Sequence, residues 1–248
     1  MIRTRILKLS ILVSLLIYFL PLTAEDLQFN LYLNIGFINI QAGSAHLYDT
    51  DVIFNGKDAV RTAMELSTDS RADKLFTLRD TIESYNTPKE SLYFRKTVNQ
   101  GDRHFVETAS FSKDNGHFIA NMSKVNTVTG EQIAHSTEWR ESRIYDLMSM
   151  LKYTRTIDTS GSEPGRTESL PMVNGDQVIT QYLVYTGNKK LKADDGNTYD
   201  CMIISVRDYK EGKERETIKA YVTNDNLHKP IQLDINLGIG TTIKAVLK

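Results

Sequence analysis

Apolar residues recur at every second position along most of the chain beyond residue 25, and that spacing leaves few folds open. A strand turns successive side chains to opposite faces, so alternation with period two sets one face on a core and the other in water. Leu27, Phe29, Leu31 and Leu33 alternate with Gln28, Asn30 and Asn34, and Ile231, Leu233, Ile235 and Leu237 alternate with Gln232, Asp234 and Asn236. Ile218, Ala220 and Val222 repeat the pattern, and a run from Thr241 to Leu247 closes the chain. Further strands are expected near 37–48, 58–68, 76–85, 91–98, 103–112, 117–126, 131–139, 177–187 and 199–208. Between them stand turn signals such as Asn55-Gly56, Asp114-Asn115-Gly116, Asp195-Gly196-Asn197 and Glu211-Gly212. Links that short join antiparallel hairpins, whereas parallel strands need long crossovers.

About a dozen antiparallel strands accumulate too much twist to lie flat. The expected fold is therefore all-β: a strongly curved antiparallel sheet forming an open or partly closed barrel, with a two-sheet β-sandwich as the alternative. One stretch departs from period two. Ile144, Leu147, Met148 and Leu151 recur at helical spacing behind Ser142 as N-cap, which predicts a helix over 143–153 that plugs one end of the barrel or lies across its concavity. Residues 70–74 suit a single helical turn, and 158–165, rich in small polar residues around Pro164, reads as a long loop inside one domain.

The first 24 residues have a different character. Arg3, Arg5 and Lys8 precede an apolar run from Leu9 to Leu20, and Pro21-Leu22-Thr23-Ala24 ends it. That order of parts predicts a signal peptide over 1–24 and a single exported domain over 25–248. The apolar run falls short of the roughly 20 residues that span a bilayer, so no transmembrane segment is expected after its removal. Beyond it stand 27 Lys+Arg against 31 Asp+Glu, which offers no basic face to nucleic acid. Cys201 is the only cysteine, so no internal disulfide can form, and its place in Tyr199-Asp200-Cys201-Met202-Ile203-Ile204 reads as a buried, inert thiol.

Three stretches taken in order carry a resemblance. They are Gly36-Phe37-Ile38-Asn39-Ile40-Gln41-Ala42-Gly43-Ser44-Ala45, then Tyr145-Asp146-Leu147-Met148-Ser149-Met150-Leu151-Lys152-Tyr153-Thr154-Arg155, and finally Ala220-Tyr221-Val222-Thr223-Asn224-Asp225 with Pro230-Ile231 and Gly240. The first is similar to an opening strand ending in Ala-Gly-small-Ala, the second to a helix ending in Tyr-x-Arg, and the third to a closing hairpin. Together they resemble a bacterial family of exported proteins, the domain of unknown function 3108. The resemblance implies export, to the periplasm or outer-membrane periphery of a Gram-negative bacterium, and a curved β fold. It implies no reaction.

The residues themselves offer little chemistry. His46, His104, His117, His135 and His228 never fall two or four apart, and no His-Glu-x-x-His or cysteine pair occurs, so no metal or other cofactor is expected. No Gly-x-Ser-x-Gly elbow occurs, and no nucleophile, base and stabiliser group together, so no catalytic residue is assigned. The best candidates for ligand binding are Trp139 and Arg140 ahead of the helix with Tyr153 and Arg155 at its end, aromatic faces and guanidinium groups suited to a carboxylate or polar head group. The competing account makes both aromatics core anchors and pairs the arginines with Asp146 or Asp158. The function expected is that of a non-catalytic module binding an apolar or amphiphilic molecule such as a lipid. The alternative is a structural or assembly factor that contacts an envelope protein.

Overall fold

The structure is a computed structural model and describes residues 26–248 apart from 75, 160 and 239. The expected signal peptide lies outside the described residues. Fourteen strands follow one another: β1 (Asp26–Ile35), β2 (Ile38–Phe54), β3 (Lys57–Thr68), β4 (Arg79–Asn86), β5 (Ser91–Gln100), β6 (Arg103–Asp114), β7 (His117–Asn126), β8 (Gln132–Arg140), β9 (Thr167–Asn174), β10 (Gln177–Lys192), β11 (Thr198–Lys210), β12 (Lys213–Thr223), β13 (Pro230–Gly238) and β14 (Thr241–Leu247). All belong to one antiparallel sheet in the order β8-β7-β6-β5-β4-β3-β2-β1-β14-β13-β12-β11-β10-β9. The terminal strands β1 and β14 pair at its middle, with Phe29 opposite Leu247, so the free edges are β8 and β9. The sheet curls into a nearly closed barrel, as the alternation requires: Phe29, Leu31, Ala45, Leu47, Met64, Ile82 and Phe94 are buried on its inner face.

The closure is not a backbone ladder. On β8, Ser136 Oγ donates to the carbonyl of Asp176, Glu138 Oε1 accepts from the amide of Val178 at 2.9 Å, and Arg140 donates to the carbonyl of Val178. Val173 and Val178 of the β9–β10 hairpin are buried in one cluster with Ala120 and Met122 of β7. The sheet thus rolls so that its last hairpin tucks against the inner face of the opposite end.

Thirteen of the strands match expected segments; β9 was not foreseen. It contains Pro171, which a central strand would not tolerate but an edge strand does. The free side of β9 takes a one-residue bridge: Tyr145 donates to Pro171 O and accepts from Val173 N, both at 2.9 Å.

That bridge also corrects the expected helix. α1 spans Leu147–Thr154 rather than 143–153, because Tyr145 is held extended against β9. Its N-cap is Asp146, not Ser142, and the Asp146 carboxylate accepts from the amides of Met148 and Ser149 at 2.9 and 3.0 Å. The expected turn at 70–74 is a short 3-10 segment, Ala72–Lys74.

Antiparallel succession puts alternate turns at opposite ends of the barrel. One end, called here the plugged end, holds the β2–β3, β4–β5, β6–β7 and β12–β13 links together with α1. The far end holds the β1–β2, β3–β4, β5–β6, β7–β8 and β13–β14 links.

Candidate functional site

α1 enters from the end of β8 and crosses the plugged end. At its start, the buried Asp146 carboxylate also accepts from Ser84 Oγ of β4 at 2.7 Å and Ser149 Oγ at 2.8 Å. Midway, Lys152 Nζ donates to Asp49 Oδ2 of β2 at 2.7 Å and to Thr62 Oγ1 of β3 at 2.9 Å. At the far side, Tyr153 donates to Glu168 of β9 at 2.8 Å, and Arg155 Nε donates to the carbonyl of His228 at 2.8 Å. Polar contacts from four directions therefore pin a helix of only eight residues, which would not hold its shape alone.

Beneath α1, between the helix and β2, β3, β12 and β13, lies a crevice of about 30 Å³. Leu47, Met64, Met148, Leu151, Val222 and Leu233 give it an apolar lining, and Lys152, Arg155 and Thr62 supply the polar side. A volume of that size holds a water or two. Toward the far end the inner wall changes character. Lys96, Glu107 and Lys124 stand directly opposite one another on β5, β6 and β7, on the same face as buried Val98, Ala109 and Met122. Lys124 pairs with Glu107 at 2.9 Å and lies 3.8 Å from the centre of the Phe105 ring.

The four candidate residues do not converge. Trp139 is 56% exposed on the outer face of β8, where its ring meets His117 edge-on at 4.4 Å. Arg140, next to it, points inward and pairs with Glu138 at 2.8 Å besides closing the seam. Both border an open surface concavity of about 700 Å³ that residues 137–142 alone form. One strand end encloses a ligand on one side only. Tyr153 rests against Tyr145 with ring centres 5.4 Å apart, and its hydrogen bond to Glu168, helped by burial, pushes its hydroxyl up to about 12. Arg155 braces the β12–β13 link through the carbonyls of Leu227 and His228. Trp139 is not a core anchor, and Asp146 is no surface partner for an arginine, being fully enclosed by hydroxyls and amides.

Sequence reading missed Ser84, Asp49 and Thr62, whose roles depend on which wall α1 meets. The Asp146-x-x-Ser149 spacing was the available signal, since it forms a reciprocal capping box.

Cys201 is buried, and loss of hydration, with Asp200 and Asp225 nearby, pushes its thiol up to about 11. The folded protein should therefore resist a thiol reagent such as Ellman's at pH 8 and react with one equivalent once unfolded; rapid labelling of the folded chain would contradict the placement. Among the described residues no three His, Cys, Asp or Glu side chains gather closely enough to share a metal ion. No helix among them is long and apolar enough to cross a membrane.

Fold and site together define an all-β, barrel-like domain rolled over at its seam and stoppered by one helix. A family model matches residues 28–248, and the chain belongs to that family, the protein of unknown function DUF3108. Among solved structures it is similar to the crystal structure of a beta-barrel-like protein of the domain of unknown function DUF1849 from Brucella abortus. The likeness has a TM-score of 0.59 at 8% identity and covers 91% of this chain and 95% of that one, so it speaks to the fold alone. Comparison with curated proteins gives no match.

Proposed function

We propose that this protein is an exported, non-catalytic binding module of the bacterial envelope, in the periplasm or at the outer-membrane periphery. It holds one amphiphile between α1 and the barrel wall. The observation that carries this reading is the composition of the crevice under α1, a greasy lining with two cations along one side. Apolar wall takes an acyl or similar chain, and Lys152, paired with Asp49 while the helix is closed, is the cation that an anionic head would draw away as the helix lifts. Met64 and Met148 can re-pack around differently shaped chains.

The crevice as it stands is too small for such a guest, so the C-terminal half of α1 must lift for loading while the buried Asp146 holds the start of the helix in place. Its tethers are suited to that: Lys152 and Tyr153 hold it by polar contacts at the rim, which water can replace. Native mass spectrometry of the full chain purified from its own envelope should show a bound mass that organic extraction removes. Leu151→Trp, which fills the crevice from its half-buried edge, should abolish that mass while the circular dichroism spectrum stays that of the parent. A parent protein free of any adduct, or an adduct that survives Leu151→Trp, rejects the reading.

A second reading, an assembly factor acting through protein contact, is favoured by one feature. β8 pairs only with β7 among the described residues, and beside its free edge it exposes Ile133 and Trp139. A co-purifying protein in place of a small-molecule mass would favour it.

A further inference from the structure

Toward the far end, the inward side chains of β5, β6 and β7 fall into a grid set by strand register. Lys96, Val98 and Gln100 of β5 stand opposite Glu107, Phe105 and Arg103 of β6, and Glu107 and Phe105 stand opposite Lys124 and Asn126 of β7. Opposite side chains lie about 5 Å apart at Cβ and diagonal ones about 7 Å. Three cations, Lys96, Arg103 and Lys124, therefore border one patch of wall, and the buried ring of Phe105 lies at its centre.

Their counter-charge is incomplete. The carboxylate inside the grid is Glu107, and Lys124 takes it at 2.9 Å. Lys96 stands opposite the same carboxylate yet forms no ion pair or hydrogen bond among the described residues. Arg103 has no acid either; it and Lys124 lean on the Phe105 ring, 5.5 and 3.8 Å from its centre. A ring face is a weak substitute for an acid. Asp80, inward on the neighbouring β4, is buried and committed to the amide of Asn99 at 3.0 Å and to Gln100 Nε2. Asp102 lies in the exposed β5–β6 turn and pairs with none of the three cations. Three cations against Glu107 leave two positive charges over, and one remains when Asp80 is counted. The Lys124 and Glu107 side chains are only 25% and 14% exposed, and excess charge in so enclosed a place is costly until an anion joins it.

We infer that this patch binds a phosphate group, seated over the Phe105 ring and held by Lys96, Arg103 and Lys124. A phosphate monoester carries a charge of about −1.5 to −2 at neutral pH, which matches the excess. Its oxygens diverge, so donors arriving from three directions can each take one. A carboxylate, with two oxygens in one plane, would leave one of the cations unmatched. Lys96 and Lys124 spring from strands about 10 Å apart, a gap that two flexible four-carbon stems close around an ion. Arg103 adds a flat, two-pronged donor from the side nearer the turn. The inference does not rest on the crevice under α1, which lies at the opposite end, so either can fail without the other.

The test is equilibrium dialysis of the full chain against inorganic phosphate at an ionic strength of about 0.15 M. The parent should bind saturably, with one phosphate per chain. Lys96→Gln and Arg103→Gln should each weaken binding about tenfold or more, the loss of one charge-assisted hydrogen bond. Glu107→Gln should act in the opposite sense. It removes the competing negative charge but keeps an oxygen for Lys124, so phosphate should bind about threefold tighter or more. A gain of that kind cannot come from a damaged fold, and a Lys124–Glu107 pair that only braces the wall predicts a loss. Lys113→Gln is the control: Lys113 rests on the Phe118 ring at the plugged end, 4.8 Å from its centre, and its removal should leave phosphate binding unchanged.

A parallel titration with glycerol 3-phosphate separates the free ion from a phosphate carried on a lipid headgroup or other monoester. An ester that binds at least as well as inorganic phosphate assigns the site to a monoester, and one that binds worse assigns it to the free ion; both outcomes support the site. Absence of saturable phosphate binding by the parent overturns the inference. So does equal weakening in Lys113→Gln, or weaker binding in Glu107→Gln.

Discussion

Replacing Asp146 by alanine should lower stability by about 3 kcal/mol or more, with a fall in melting temperature on the order of 10 °C. The alanine removes an acceptor that serves four donors at once, the amides of Met148 and Ser149 and the hydroxyls of Ser84 and Ser149, in a place closed to water. Each donor left unmatched there bears its own desolvation cost, and the helix loses its cap as well. Asp146→Asn separates shape from charge. The amide oxygen can still cap the helix, and its nitrogen can donate to a hydroxyl that rotates to accept.

Burial raises the proton affinity of the Asp146 carboxyl above its ordinary 3.8, against the pull of its hydrogen bonds. A carboxyl raised in the folded state holds its proton more tightly there than in the unfolded chain. Its contribution is therefore fully present below about 3.8 and is lost as pH rises through the folded value. Urea unfolding at a series of pH values should show the asparagine variant gaining on the parent as pH climbs from about 4. A constant difference across that range, or an alanine variant as stable as the parent, would remove Asp146 from its assigned role.

The barrel was legible because a half-buried sheet writes its inner face into every second residue, and the helix because four residues break that rule together. What tertiary contact decides was not. Tyr145 carries helical spacing with Met148 but is drawn out by β9, a strand hidden behind its proline. On β8 the pattern is inverted: Ile133 and Trp139 face water while Ser136, Glu138 and Arg140 face inward. Those polar side chains are inside because a tucked hairpin presents its backbone to them, and no local rule announces an event so distant in sequence. Trp139 and Arg140, adjacent in the chain, therefore point to opposite sides of the wall, which is why a site built from sequence neighbours did not assemble.

Among the described glycines, Gly43→Ala should be the most damaging substitution by alanine. At this point β1 and β2 slip by one residue, Leu31 standing opposite Gly43 and Tyr32 opposite Gln41, so that Ala42 is the extra residue of a bulge. The bulge presses β2 onto β3. A Cβ at position 43 would lie 1.9 Å from the carbonyl oxygen of Ser67 and 2.7 Å from the Cα of Thr68. Both are backbone atoms, which no rotamer change can move aside. The glycine is needed for space and not for a left-handed backbone, in contrast to Gly116, whose φ of 87° lies in open surroundings.

Relief requires β3 to move away from β2 near the point where Asp69 N donates to Ala42 O at 2.8 Å and starts the link to β4. The expected loss is about 3 kcal/mol or more, against about 1 kcal/mol for Gly116→Ala and almost nothing for Ser44→Ala at the exposed neighbour. Denaturant midpoints of the three variants measured side by side would order them. If Gly43→Ala unfolds with Ser44→Ala, the strands do not approach as closely as this and the bulge has another cause. If the order holds, Gly43 is explained without reference to any ligand: it is the residue at which three strands of a tightly rolled wall leave no room for a Cβ.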